Sequence, residues 1–380
     1  MAGDPRTVLI ANPGSDLYGS DRMTVESVKA LLSGGYRVFV TVPGPGPLIE
    51  LLTEAGATVL EQPTPIIRKS LLTPGGLLQL LTEAVTAWVP SWRLLKRTNA
   101  GTVLVNTITP PLWFPLARFA GRKVFCHLHE AESTVAEPVR YVMYLPLQFC
   151  TGVIANSAYT KRVLGDSSVG LVARTSVVHN TVTGPPQVQP PRADLAGEVR
   201  LLYVGRLSQR KGVQVAVAGM DLLRSRGIST HLDVVGAVFP GNEAYERELR
   251  ALVDRLNLTG QVTFHGFQSR VWPFLADCDI AVVPATEDES FGNTAAEASL
   301  AARPVVVSSI GGLKEATSES LAAVLVTPGD AAELAAAIER IAADWPHYCR
   351  FARDDADRVA ARFSAEVYGR ALIDAIGLPG

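Results

Sequence analysis

Unbroken apolar runs alternate with longer amphipathic stretches along the whole chain, and they do so in two successive sets. "TVLIANPG", "RVFVTVPG", "TVLVNT", "KVFCHLHE", "GVIANS" and "TSVVHN" are rich in β-branched residues and end in Gly, Asn, Pro or His. Helix-like stretches such as "DRMTVESVKALLSGG" separate them. Strands that are apolar at every position are buried on both faces, so interleaved helices predict a parallel sheet covered on each side. After "TVTGPPQVQPPRADLAGE" the pattern restarts with "VRLLYVGRLS", "THLDVVGAV", "QVTFHGF", "CDIAVVPAT" and "RPVVVSSIGG". The expectation is α/β: two Rossmann-like, doubly wound domains over residues 1–183 and 199–363, joined by a Pro-rich linker at 184–198. The two would face each other across a cleft at the carboxyl ends of their strands. A final amphipathic helix at about 364–380 would pack back on the first domain.

At 380 residues the chain is long enough for two such cores, and 47% hydrophobic with 19% charged residues describes a globular protein. Residues 1–185 carry 16 Lys and Arg against 12 Asp and Glu, the remainder 19 against 25. That imbalance is too small for nucleic-acid binding. The four cysteines, Cys126, Cys150, Cys278 and Cys349, form no CxxC pair, which argues against a zinc site or a disulfide framework. No signal-peptide pattern opens the sequence and no apolar run reaches membrane-span length, so a cytoplasmic protein is expected. Arg outnumbers Lys, the usage of a GC-rich bacterial genome.

In the second set, "YVGRLSQRKGV" puts Arg206 just past a strand end and Lys211 a few residues on. A guanidinium fork plus a point charge there suits a diphosphate; a solvated basic loop is the alternative. Farther along, "CDIAVVPATEDESFGNTAAEASL" ends a strand at Pro284, passes an acidic loop and opens a helix at Gly292. Asn293 and Thr294 would offer amides in its first turn, an anion site. Glu289 precedes that helix and Glu297 lies about one turn inside it. Carboxylates beside a phosphate site make sense as hydrogen-bond acceptors for hydroxyls. The composite ligand is a polyhydroxylated group on a diphosphate, which describes a nucleotide sugar.

"GRLSQRKG", "ESFGNTAAEA" and "RPVVVSSIGGLKE", in this order, resemble the retaining glycosyltransferases of family 4, which have the GT-B fold. The resemblance covers almost the whole chain and is strongest from about 200 to 330. It implies transfer of a hexose-type sugar from a nucleoside diphosphate sugar, UDP- or GDP-linked, to a hydroxyl of a glycan, a lipid-linked saccharide or a small molecule. It gives Glu289 the sugar hydroxyls, Glu297 the ribose, and Arg206 and Lys211 the diphosphate and leaving group. Gly205, Gly236, Ser290, Phe291, Gly292, Asn293 and Thr294 would complete the donor site, with Gly266 and Phe267 of "FHGF" near the base.

In the first set the resemblance places the active-site histidine at His129 of "CHLHEAE", and Gly19 and Ser20 of the first loop near phosphates and acceptor. Glu130, Ser157 of "ANSAYT" and Asn180 of "VVHN" would line the cleft. His127 and His129 alone do not make a zinc site, because no further ligands are evident. "DCD" at 277–279 matches a metal motif of another glycosyltransferase fold, but the second Asp begins a strand instead of ending one. No metal and no cofactor are expected. "NPGSDLYGSD" contains no GxGxxG, which disfavours a dehydrogenase. The competing readings are a GT-B-shaped nucleotide-sugar epimerase and a non-catalytic nucleotide-sugar-binding protein.

Residues 66–97 and 110–123 mix Leu, Trp and Phe with Arg68, Lys69, Arg93, Lys96, Arg97 and Arg118. Such a surface would suit peripheral association with the inner face of an anionic membrane; the alternative is a helical pair that covers the first sheet and has solvated basic ends. The sequence leaves the oligomeric state open, a homo-oligomer included.

Overall fold

The computed structural model describes residues 3–67, 74–195 and 197–377; Arg68 and Lys69 lie outside them. The chain divides into two compact units, Met1–Thr181 with Ala365–Gly380, and Val182–Ser364. Among the described residues the first unit contains β1 (Asp4–Ala11), β2 (Arg37–Val42), β3 (Thr58–Glu61), β4 (Ala100–Asn106), β5 (Lys123–Leu128), β6 (Gly152–Ala155) and β7 (Thr175–Val177). They form one parallel sheet in the order β3-β2-β1-β4-β5-β6-β7. The second unit contains β8 (Val199–Val204), β9 (Thr230–Val235), β10 (Val262–Gly266), β11 (Ile280–Val283), β12 (Val305–Ser308) and β13 (Ala323–Val326). Its sheet is also parallel, in the order β10-β9-β8-β11-β12-β13.

Alternation along single strands builds the two cores of each unit. In β1, Val8 and Ile10 pack with Met23, Val28 and Leu31 of the helix Gly19–Ser33. Leu9 and Ala11 face the opposite core with Trp113, Phe114 and Leu116 of the helix Trp113–Phe119. In β11, Ile280 and Val282 belong to the core under the helix Val213–Ser225, and Ala281 and Val283 to the one under the helix Asn293–Leu300. These side chains are less than a tenth exposed, and burying a Val, Leu or Ile contributes about 1.5–3 kcal/mol each.

The helix Ala365–Ala375 belongs to the first unit. Its Tyr368 hydroxyl meets Ser27 Oγ at 2.6 Å, both buried, and Gly369 lets it approach Ala30. Polar groups of the Pro-rich run are anchored on the second unit. Arg192 Nε donates to Asp279 Oδ1 at 2.8 Å, Arg303 Nη1 to Gln189 O at 2.9 Å, and Trp345 Nε1 to Arg192 O at 2.9 Å.

Each sheet reverses its winding once, between β1 and β4 in the first unit and between β8 and β11 in the second. At such a switch point the connections leave in opposite directions, which opens a crevice at the strands' carboxyl ends.

Candidate active site

The two motifs of the second unit follow β8 and β11, the neighbours that flank its switch point. The chain leaves β8 through Gly205, runs past Arg206 to the short turn Gln209–Lys211, and enters the helix Val213–Ser225 through Gly212. Gly212 has φ +77°, and a Cβ there would lie 1.8 Å from Pro284 O, so only glycine lets this loop rest on the end of β11. Thr286 N donates to Arg210 O at 2.9 Å, and the Arg210 guanidinium donates to Asp288 O. Lys211 Nζ reaches Glu289 and forms an ion pair with Oε2, with both side chains largely covered. The diphosphate cation expected from the sequence is therefore paired with the carboxylate expected to read the sugar.

Gly292, at φ +107°, turns the chain into the helix Asn293–Leu300. The loop after β12 supports this turn: Gly312 N donates to Glu289 O at 2.7 Å, and a Cβ on Gly312 would come 2.3 Å from Ser290 O. Phe291 is buried against Phe363, ring centroids 5.1 Å apart, so its side chain anchors the turn. Thr294 Oγ1 donates to Val204 O at 3.4 Å, which ties the helix start to the end of β8. Asn293 and Thr294 occupy the first turn, whose amides have no acceptor within the helix; Glu297 is half-buried one turn on.

Gly205, Gly236 and Gly266 lie side by side at the ends of β8, β9 and β10. Gly236 N donates to Gly266 O at 2.8 Å, and a Cβ on Gly236 would lie 1.8 Å from Gly205 O. Phe267 is exposed. The guanidinium carbon of Arg206 stands 3.5 Å from the centroid of the Phe239 ring, a cation–π contact that fixes its plane. Phe239, in "AVFPGN" after β9, was not expected from the sequence. Arg206, Lys211, Glu289, the Gly292 turn and the three glycines thus converge on one neighbourhood of the second unit. Asp279 lies at the opposite end of β11, fully buried, and accepts from Arg192 and from Arg200 N at 2.8 Å.

In the first unit, His127 ends β5 with His129 just beyond it, ring centroids 4.0 Å apart. The Nε2 atoms of both are buried without a hydrogen-bond partner among the described residues. Burial lowers the pKa of His129 to about 3, so it is a neutral imidazole at pH 7. Glu130 Oε2 accepts from His129 N at 3.2 Å. Burial first, and then the nearby Glu132 carboxylate, raise Glu130 to about 7.

Gly19 and Ser20 open the helix after β1, and a buried amide network holds them. Asn106 Nδ2 donates to Asn12 Oδ1 at 2.7 Å and to Ser20 O at 3.2 Å, and Asn12 Nδ2 donates to Asp21 Oδ1 at 3.0 Å. Ser157 lies just after β6. It is fully buried, and its Oγ accepts from Thr160 N at 3.0 Å as the N-cap of the helix Ala158–Ser167. Asn180 is buried as well.

Two parallel, doubly wound sheets with this site make the fold that of the GT-B glycosyltransferases. Residues 198–344 match the family described as glycosyl transferases group 1. A glycogen synthase of Mycobacterium tuberculosis is 32% identical over 192 residues, covering 50% of this chain and 45% of that protein. A D-inositol 3-phosphate glycosyltransferase of an Arthrobacter species is 34% identical over 152 residues, 38% of this chain and 35% of that one. The chain thus spans less than half the length of these curated relatives. Anabaena Alr3699/HepE, solved in complex with UDP and glucose, superposes with a TM-score of 0.81 over 97% of this chain and 99% of that one, at 21% identity. No helix among the described residues is long and apolar enough to cross a membrane.

Proposed function

We propose that the protein transfers a hexose-type sugar from a nucleoside diphosphate sugar to a hydroxyl acceptor, with retention of anomeric configuration and without a metal ion. The observation that carries this reading is the meeting of Lys211, Glu289 and the Gly292 turn at the switch point between β8 and β11. In the reaction the bond from the anomeric carbon to the β-phosphate oxygen breaks, and the acceptor oxygen bonds to that carbon on the same face. The acceptor's proton passes to the departing phosphate. Negative charge grows on the phosphate as the bond breaks; Arg206, Lys211 and the first-turn amides of Asn293 and Thr294 are assigned to stabilise it, and fixed donors aimed at developing charge lower the barrier.

Glu289 is assigned to the sugar hydroxyls and Glu297 to the ribose. Donor binding then requires Lys211 to exchange Glu289 for phosphate, which releases Glu289 for the sugar. On the first unit His129, as a neutral imidazole, is assigned to a substrate hydroxyl, and Gly19, Ser20 and Glu130 to the acceptor. UDP is the first base to test, since HepE was captured with UDP and glucose.

A thermal-shift screen of UDP- and GDP-sugars tests the reading, because a ligand of the native state raises the melting temperature. At least one nucleotide sugar should do so, and that donor should yield free nucleotide in the presence of an acceptor. If none stabilises the protein, the reading fails; conversion of the donor to an isomer without an acceptor would make it an epimerase instead.

A further inference from the structure

The first unit carries a surface that the donor chemistry does not use. The helix Pro74–Thr98 buries Leu94 and Leu95 near its end. Leu78, Leu81, Val85 and Val89, three and four residues apart, lie along one side of it. All four are exposed, Val85 by 74%. Aromatic rings extend this stripe: Trp88 lies 6.4 Å from Phe119, and Phe119 5.9 Å from Phe149. Phe119 is 65% exposed. Scattered exposed leucines are ordinary, but a contiguous apolar patch on a globular unit marks an interaction surface.

Charge identifies the partner. Next to Phe119 and Phe149 in sequence lie residues of a concavity of about 390 Å3, lined by Arg118, Arg122, Lys123 and Arg174 and, among the described residues, by no acidic one. Arg174 Nη1 is held by Cys150 O at 2.6 Å and Lys123 Nζ by Gly377 O at 3.3 Å, so the cations are positioned. At the end of the apolar helix Arg93, Lys96 and Arg97 are exposed, with Lys96 Nζ 5.5 Å from the Trp92 ring. A second copy of the chain on a two-fold axis would bring these cations against themselves. Apolar side chains bordered by cations instead match the boundary between acyl chains and phosphate headgroups.

We propose that this face of the first unit docks on an anionic phospholipid surface, with the helix Pro74–Thr98 in the interface plane and headgroup phosphates in the Arg118, Lys123 and Arg174 concavity. The helix joins two parallel strands, β3 and β4, and so runs antiparallel to them. Its Leu78 end therefore lies toward the carboxyl edge of the sheet, where His129 sits. The proposal does not depend on which donor the second unit binds.

Co-sedimentation of the full chain with phosphatidylcholine vesicles, with and without phosphatidylglycerol, tests it. The chain should pellet with the anionic vesicles at low salt, and less so as salt screens the contact. Val85→Glu should abolish pelleting with an unchanged melting temperature, and Arg118→Glu and Lys123→Glu should each weaken it at least about fivefold. Failure to pellet at low salt would overturn the proposal, as would undiminished pelleting of Val85→Glu. It would also be overturned if inorganic phosphate alone stabilised the wild type through Arg118 while vesicles did not bind, or if Val85→Glu only dissociated an oligomer.

Discussion

Lys211 and Glu289, 78 residues apart in sequence, form an ion pair at the adjoining ends of β8 and β11. The pair places a cation and a carboxylate in one site while each neutralises the other. If donor binding breaks it, the two residues are energetically coupled. Lys211→Ala should weaken UDP binding and lower kcat by about 10²–10³-fold. Glu289→Ala on that background should recover part of the UDP affinity, because it removes a carboxylate left facing the diphosphate. Titration calorimetry on the double-mutant cycle checks this; additive effects would mean that the two act independently.

The Arg206 guanidinium is held by a ring. Phe239→Ala removes that support and should weaken UDP binding by about threefold to thirtyfold, the range of a cation–π contact, with little change in melting temperature. Unchanged affinity would show that other contacts hold Arg206.

Little of this pairing was legible in the sequence. Both motifs could be read, with their strand-loop-helix contexts, because local composition carries them. That Lys211 meets Glu289 depends on β8 neighbouring β11, and strand order is not written locally. The same reason hid Phe239, whose partner lies on another strand end. The short strands β3 and β13 also escaped: each spans four residues at a sheet edge, only partly buried, so the apolar signal is weak. The capping role of Ser157 could also be read locally, since a serine directly before a helix is a cap signal.

Glu130 should leave a pH signature. Its carboxyl titrates near 4.5 when unfolded and at about 7 when folded, so the folded chain binds the proton more tightly. The stabilisation is fully present below pH 4.5 and is lost as pH rises through 7. Glu130→Gln, which cannot ionise, should therefore gain stability relative to wild type between those values. The depressed His129 slopes the other way but is common to both proteins and cancels in the difference. Parallel stability curves for the two proteins would refute the assignment.

Asn106 should be a structural residue with a functional consequence. Asn106→Ala removes one of two side-chain donors to Asn12 Oδ1 and Ser20 O, with Thr24 Oγ1 still 2.8 and 3.3 Å from them, which should cost about 0.5–1.5 kcal/mol in denaturant unfolding. It should also disturb the loop of Gly19 and Ser20, so acceptor KM should rise more than donor KM. A change in donor KM alone would place that loop elsewhere in the chemistry.

If Arg206 and Lys211 carry the diphosphate charge as proposed, no metal ion is needed to do so. Transfer should persist in EDTA; complete loss restored by Mg2+ or Mn2+ would contradict the mechanism.

Titration of free UDP, or of GDP if UDP does not bind, into the wild type, Glu297→Gln and Glu289→Ala tests the central claim most directly. The division of the site into a ribose carboxylate and a sugar carboxylate predicts that Glu297→Gln weakens nucleotide binding, whereas Glu289→Ala binds the nucleotide at least as tightly as the wild type. Equal weakening in both variants, or no nucleotide binding by the wild type, would contradict it.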